Sequence, residues 1–166
     1  MMTGSLTLLG AAGLLWGLVS HGALPDPHAT PGAVDSHVTQ ANIQQSICVP
    51  GYARSARPPY ATMRRLKADA MRREHPGERF SDFEFDHLVS LALGGAPLDR
   101  RNLWLEPRTG PWGTAAKDEL EYALWVDVCH RGLPLAVARR AMATDWIGAY
   151  KRWVAGQTHA KWHNDD

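Results

Sequence analysis

The stretch from residue 83 to residue 129 constrains the fold most. Phe83, Phe85, Val89, Leu91 and Leu93 recur at alternate positions, the period of a strand with one face turned inward. Gly94-Gly95 stops the run. The segment G-G-A-P-L-D-R then leads into R-N-L-W-L, residues 101–105, a second short strand. Glycine, proline and aspartate in that link are turn formers, so the two strands are expected to pair as a hairpin. A turn-rich link, R-T-G-P-W-G, follows. After it Ala116, Leu120, Ala123, Leu124 and Val128 fall three or four residues apart, which predicts a helix from about 114 to 129. The local order is therefore strand, glycine turn, strand, helix.

The rest of the chain reads as mainly helical. Pro58-Pro59 blocks a helix before it, and Thr62 is a plausible N-cap for one running to 74, with Met63, Leu66, Ala70 and Met71 on its apolar face. His75-Pro76-Gly77 ends it. Pro134 opens a last helical region in which Leu135, Ala138, Met142, Trp146, Ala149, Tyr150 and Trp153 keep the period, with a break expected near Thr144-Asp145. Residues 38–49 fit a short helix or a strand equally well. Trp104, Trp112, Trp125, Trp146 and Trp153 are expected to pack in the core, Trp112 beside the turn being the best candidate for another role. The fold class expected is α+β: one mainly helical domain over residues 38–155, preceded by an extended leader at 24–37 and followed by a flexible tail at 156–166. His159 and His163 stand four apart in that tail and are expected to be solvent-exposed. The chain has 166 residues, enough for one core, and its 45% hydrophobic content excludes a disordered polymer. A net charge of +1 excludes a polycationic nucleic-acid binder, so any phosphate contact must come from a local patch.

Charge is distributed unevenly. Residues 1–23 carry none, and S-L-T-L-L-G-A-A-G-L-L-W-G-L-V-S is one apolar block followed by small residues and then Pro25 and Pro27. This has the form of a secretory signal peptide or an N-terminal anchor, and predicts an exported protein, periplasmic or secreted. Export gives the two cysteines, Cys48 and Cys129, a natural reading as one disulfide; two separate buried thiols are the alternative. Neither a multi-bridge scaffold nor a four-cysteine zinc site is possible with two. Positive charge collects just before the first strand. Arg54, Arg57, Arg64, Arg65, Lys67, Arg72, Arg73 and Arg79 face only Asp69, Glu74 and Glu78. The segment is either a phosphate-contacting surface or simply a solvated helix face.

The hairpin also carries the residues with chemistry. Asp86 is a hard oxygen ligand suited to Mg²⁺ or Mn²⁺, and a neighbouring imidazole admits softer ions such as Zn²⁺ or Ni²⁺. His87 lies on the opposite face of the same strand, and histidine is the side chain that can take a proton from water near neutral pH. Asn102, at the hairpin return, can hold the intervening loop through its amide. Together these suit metal-assisted phosphodiester cleavage.

The run F-E-F-D-H-L-V-S-L-A-L-G-G-A-P-L-D-R-R-N-L-W-L-E-P resembles the ββα-metal motif of the HNH endonucleases. It is most similar to a group of small exported bacterial proteins with a D-H-L-x-x-L-x-L-G-G…N-L-W-x-E-P signature. Flanking segments extend the resemblance over roughly residues 24–155: V-T-Q-A-N-I-Q-Q-S-I-C-V-P-G-Y and A-R-P-P before it, W-G-T-A-A-K-D-E-L-E and a later V-C after it. The resemblance implies a ββα-metal hairpin-helix unit, a divalent metal held by Asp86, His87 as general base and Asn102 ordering the loop. It implies a nuclease acting on DNA, with RNA as the alternative; a monomer is expected, and the basic residues expected to grip phosphates are Arg57, Arg64, Arg65, Lys67 and Lys117.

The chain departs from that pattern in one place that matters. HNH enzymes place a His or Asn near the start of the motif helix as a second metal ligand, and here the residues are Gly113-Thr114-Ala115. Glu106 or Asp118, or else Glu84, would have to substitute. Related proteins also carry an acidic residue where Ala92 stands and a proline at Ser90. Two rival expectations follow. Asp86 and His87 could pair with Lys117 or Arg101 and merely stabilise the hairpin, or the chain could be a non-catalytic exported or envelope binding protein that keeps the fold.

Overall fold

The computed structural model describes residues 24–155. The signal or anchor expected at 1–23 and the tail expected at 156–166, with its two histidines, lie outside the described residues. The architecture is α+β. It joins four helices, α1 (Tyr52–Ala56), α2 (Tyr60–Glu74), α3 (Thr114–His130) and α4 (Leu135–Trp153), to one antiparallel hairpin of β1 (Phe83–His87) and β2 (Leu103–Pro107). None of the helices is long and apolar enough to cross a membrane.

The main core lies between α3 and α4. Leu120, Ala123, Leu124 and Val128 on α3 meet Leu135, Ala138, Met142, Trp146 and Ala149 on α4, and all are buried. These are the positions that the three-to-four spacing selects. The expected break near Thr144-Asp145 is present as a kink, with Asp145 at φ −160° and ψ 75° inside α4. Trp146, just after the kink, is fully buried, and Trp112 packs edge-on against Trp146 and Tyr150. The undecided segment 38–49 contains a short 3-10 helix, Gln40–Gln45, which puts Ile43 and Ile47 into the same core. Cys48 and Cys129 form a disulfide across a sequence separation of 81, with Cα atoms 5.5 Å apart. By loop-closure entropy a bridge of that span stabilises by about 4 kcal/mol.

Two expectations change. Helix α2 starts at Tyr60 with Pro59 before it, two residues ahead of Thr62. Proline fixes the φ that a helix start needs, so the chain turns helical directly after the Pro-Pro pair. Strand β1 stops at His87 although the alternation continues to Leu93. Leu88 through Ala96 are buried outside β1 and β2, with an isolated antiparallel bridge between Gly95 and Val34, and Leu91–Leu93 form a 3-10 turn capped by the Ser90 hydroxyl, which accepts from the Ala92 amide. The run is apolar because it is enclosed, and its period of two is incidental past His87.

The leader is fastened to this loop. Gly32 N–H and Ala33 N–H donate to the Arg101 carbonyl, Asp35 N–H to the Gly94 carbonyl and Ala96 N–H to the Ala33 carbonyl. Residues 24–37 are not extended throughout: Ala29 N–H and Thr30 N–H donate to the Asp26 carbonyl in a turn, and the segment forms part of the fold.

Candidate functional site

In an antiparallel pair, residues directly opposite one another share a face. The register sets Asp86 against Trp104, Glu84 against Glu106 and His87 against Leu103. One face of the hairpin therefore carries Glu84, Asp86, Trp104 and Glu106. The other carries Phe83, Phe85, His87, Leu103 and Leu105. Phe83 and Leu105 on the second face cluster with Ala70 and Met71 of α2, and Phe85 packs beside them. The first face meets the opening turns of α3, and charged groups fill that junction.

The loop between the strands is knotted around Asn102, which has no exposed surface. Its side-chain oxygen accepts from Val89 N–H at 2.8 Å, and its amide nitrogen donates to Val89 O at 2.9 Å and Ala96 O at 3.2 Å. Gly94 adopts φ +71°, in the left-handed region. At Gly95 a Cβ would sit 1.7 Å from Val89 O and 2.7 Å from Asn102 Nδ2, so no side chain fits. The glycine pair is thus needed first for chain reversal and then for close approach of the backbone to Asn102.

That loop fixes His87. Its Nε2 lies 3.0 Å from the Pro97 carbonyl oxygen. A carbonyl only accepts, so Nε2 carries the proton and, in the neutral ring, Nδ1 keeps its lone pair. Nδ1 is turned toward Asp86, 3.7 Å from Oδ1. The ring itself is 5% exposed.

Asp86 is about one-quarter exposed, and its Oδ2 accepts from Lys117 Nζ at 2.7 Å. Lys117 stands in the first turns of α3 with its side chain entirely enclosed. Its ammonium also bonds Glu121 Oε1, one turn along the helix, and lies 3.6 Å from Glu106 Oε2. Three carboxylates thus converge on one ammonium. The other Glu106 oxygen, Oε1, is buried and has no hydrogen-bond partner among the described residues.

The electrostatics follow from that arrangement. Burial opposes ionisation of Asp86, but the Lys117 ammonium outweighs it and holds the carboxyl well below the usual carboxylate range. Burial pushes Glu106 up to about 9; Lys117 opposes this, while the charges of Asp86 and Glu121 reinforce it. Burial also raises Glu121 to about 7, against the pull of Lys117. Lys117 is disfavoured by burial, yet Asp86, Glu121 and Glu106 together raise it well above the usual value. Lys117 and Asp86 thus both favour their charged forms, whereas burial favours the neutral forms of Glu106 and Glu121. Three carboxylates against one ammonium leave two negative charges in excess, which adds to burial in shifting both Glu106 and Glu121 toward their neutral forms.

Asp86, His87, Asn102 and Glu106 are gathered in this one region. Asp118 is exposed on the neighbouring position of α3, and Glu84 is 40% exposed and paired with Arg108 at 3.0 Å. Arg57, Arg64 and Arg65 are exposed, as a phosphate surface requires. Lys67 and Lys117 are not. Lys67 is buried, donates to the carbonyls of Phe80 and Phe83 at 2.7 and 2.6 Å, and stacks on the Phe80 ring. Neither ammonium is presented to solvent, so the basic surface is smaller than the charge count implies. Arg101 pairs with Asp99 and leaves Asp86 to Lys117. Glu121 is the residue that the sequence reading missed. Its signal was the i, i+4 spacing from Lys117 in K-D-E-L-E, the separation that puts two side chains on one helix face.

The carboxylates of Asp86, Glu106 and Glu121 are hard oxygen donors, and an orphaned oxygen at Glu106 suits a cation. As arranged, however, they converge on Lys117, and among the described residues no three His, Cys, Asp or Glu side chains are grouped to hold a metal. A cavity of about 420 Å³ opens beside the hairpin between α2 and residues 24–30, but Asp86, His87, Glu106 and Lys117 do not line it. Comparison with protein-family models, curated proteins and solved structures finds no match to this chain.

Proposed function

We propose that the protein is an exported endonuclease of the HNH type that hydrolyses phosphodiester bonds of DNA, with RNA the alternative substrate, using a divalent metal. The observation that supports this most is the Pro97 carbonyl on His87 Nε2, which leaves Nδ1 as an unprotonated acceptor beside Asp86. A base of that kind accepts the proton of an attacking water, a contribution of about 10²–10⁴ in rate. The Asn102 knot holds the loop that carries Pro97, and so orients the ring indirectly. Asp86 would hold the metal, with Glu106 or Glu121, which share Lys117 with it, as a second carboxylate. Bound there, a divalent cation would stabilise charge developing on the phosphate and the leaving oxygen. Arg57, Arg64 and Arg65 supply exposed positive charge for the substrate backbone. The disulfide is compatible with an exported, periplasmic or secreted, protein.

A second reading is supported by a different observation. Lys117 already neutralises Asp86, as it would in a non-catalytic binding protein that retains the hairpin and helix. A plasmid-nicking assay with Mg²⁺, Mn²⁺, Ni²⁺ and Zn²⁺ separates the two. Nicking by the wild type, lost in His87→Ala, is expected for a nuclease. No nicking with any of the four ions, or equal nicking by both proteins, would leave the binding protein.

A further inference from the structure

We propose that Lys117 is a tethered cation standing in the place of a metal: Asp86, Glu106 and Glu121 form a carboxylate cage that a divalent cation enters only in competition with the Lys117 ammonium. The inference rests on the nuclease reading for what a metal would do there, but the competition itself stands on the cage alone.

Three observations carry it. First, the Lys117 side chain is wholly enclosed, and it crosses from α3 to the acidic face of the hairpin to meet residues of both strands. A lysine whose only duty was surface charge would keep its ammonium in water. Second, the cage is over-supplied with acceptors. An ammonium has three protons and one charge, and it makes short bonds to Asp86 and Glu121 only. Glu106 Oε2 is 3.6 Å away, beyond hydrogen-bond range, and Glu106 Oε1 has no hydrogen-bond partner among the described residues, with the side chain 2% exposed. That is an unsatisfied oxygen donor, buried and belonging to a carboxylate whose other oxygen faces the ammonium. Third, the three ion-pair partners of Nζ among the described residues are all carboxylates, the donors that hard divalent ions prefer.

A divalent ion and Lys117 cannot both occupy the centre. Within about 4 Å and at an effective dielectric near 20, a double charge beside a single one costs far more than a tenfold change in affinity. Metal binding therefore requires the ammonium to swing out of the cage, and Lys117 sets the threshold concentration at which the site fills. This also accounts for the residues Gly113-Thr114-Ala115 at the start of α3. The helix contributes its polar group one turn later, as a cation instead of a ligand.

The test measures Mn²⁺ binding by electron paramagnetic resonance of the free ion and by titration calorimetry at pH 8. It compares wild type, Lys117→Met, and the charge-balanced double variant Lys117→Met/Glu121→Leu, which keeps Asp86 and Glu106. The expected result is Mn²⁺ bound at least about tenfold more tightly by a lysine-free variant than by wild type. The gain should disappear when Asp86→Asn or Glu106→Gln is added. A folded lysine-free variant that binds no more tightly than wild type overturns the proposal, as does a gain that survives both carboxylate changes. Should neither variant fold alone, Mn²⁺ added during refolding is expected to restore the native circular dichroism, and failure to do so counts against the cage. A protein that shows this gain yet never nicks DNA keeps the cage and loses the nuclease reading.

Discussion

Two buried polar centres adjoin the hairpin, one in its loop at Asn102 and one where its acidic face meets Lys117 of α3, and they are built on different rules. Around Asn102 every polar direction named is answered: one acceptor and two donors meet three backbone groups of the loop, all buried. Around Lys117 the groups outnumber their partners, with three carboxylates sharing one ammonium and one oxygen left over. A neutral, fully satisfied network specifies a shape. An over-supplied charged one is costly to keep, which makes it the better candidate for chemistry.

The contrast can be broken most severely at the knot. Asn102→Ala leaves Val89 N–H, Val89 O and Ala96 O without side-chain partners, and at about 1–3 kcal/mol for each buried group the expected loss is about 4 kcal/mol. Urea unfolding measures it, and neither metal nor pH should restore the loss. Gly95→Ala is expected to be as damaging, since its Cβ meets backbone oxygen. Lys117→Ala comes next, at about 3–5 kcal/mol near neutral pH, because it strands buried carboxylates. Unlike the knot variants, it should recover as pH falls and those carboxylates take up protons. Urea midpoints at pH 5 and pH 8 compare the two behaviours directly.

A smaller effect sharpens the comparison by its sign. Glu106 has a folded pKa of about 9 against 4.5 for the ordinary group. The folded state therefore binds more protons than the unfolded state between those values. Stability from this group is full below about pH 4.5 and is lost as pH rises through 9, by at most about 1.4 kcal/mol per pH unit. Glu106→Gln removes that dependence, so thermal melts from pH 6 to pH 9 should flatten relative to wild type. The least effect is expected at Trp104, whose buried Nε1 also has no partner among the described residues. Trp104→Phe removes an unsatisfied donor and should shift stability by less than about 1.5 kcal/mol, since loss of ring volume offsets the gain.

The sequence made the knot legible and the cage only partly so. Gly94-Gly95, Asn102 and the apolar run between the strands announce a tight loop with an amide at its return, because turn chemistry is local. Helices α3 and α4 were visible for the same reason, through spacing within one segment. The end of β1 at His87 was not, since an enclosed loop and a strand both need apolar residues. Lys67 and Lys117 counted as surface charge, although both are buried. Nothing local tells a solvated lysine from one that crosses to another element to meet a carboxylate. Lys117 to Asp86 is a contact over 31 residues, and it exists only once the register sets Asp86 opposite Trp104, on the same face as Glu106.

The central claim is that His87 acts as a base through Nδ1, and single-turnover cleavage of a DNA duplex by His87→Ala, with and without added imidazole, tests it most directly. The expected result is a loss of at least about 10² in rate that free imidazole partly restores. Cleavage by His87→Ala at the wild-type rate, or a loss that imidazole leaves untouched in a folded protein, would contradict it.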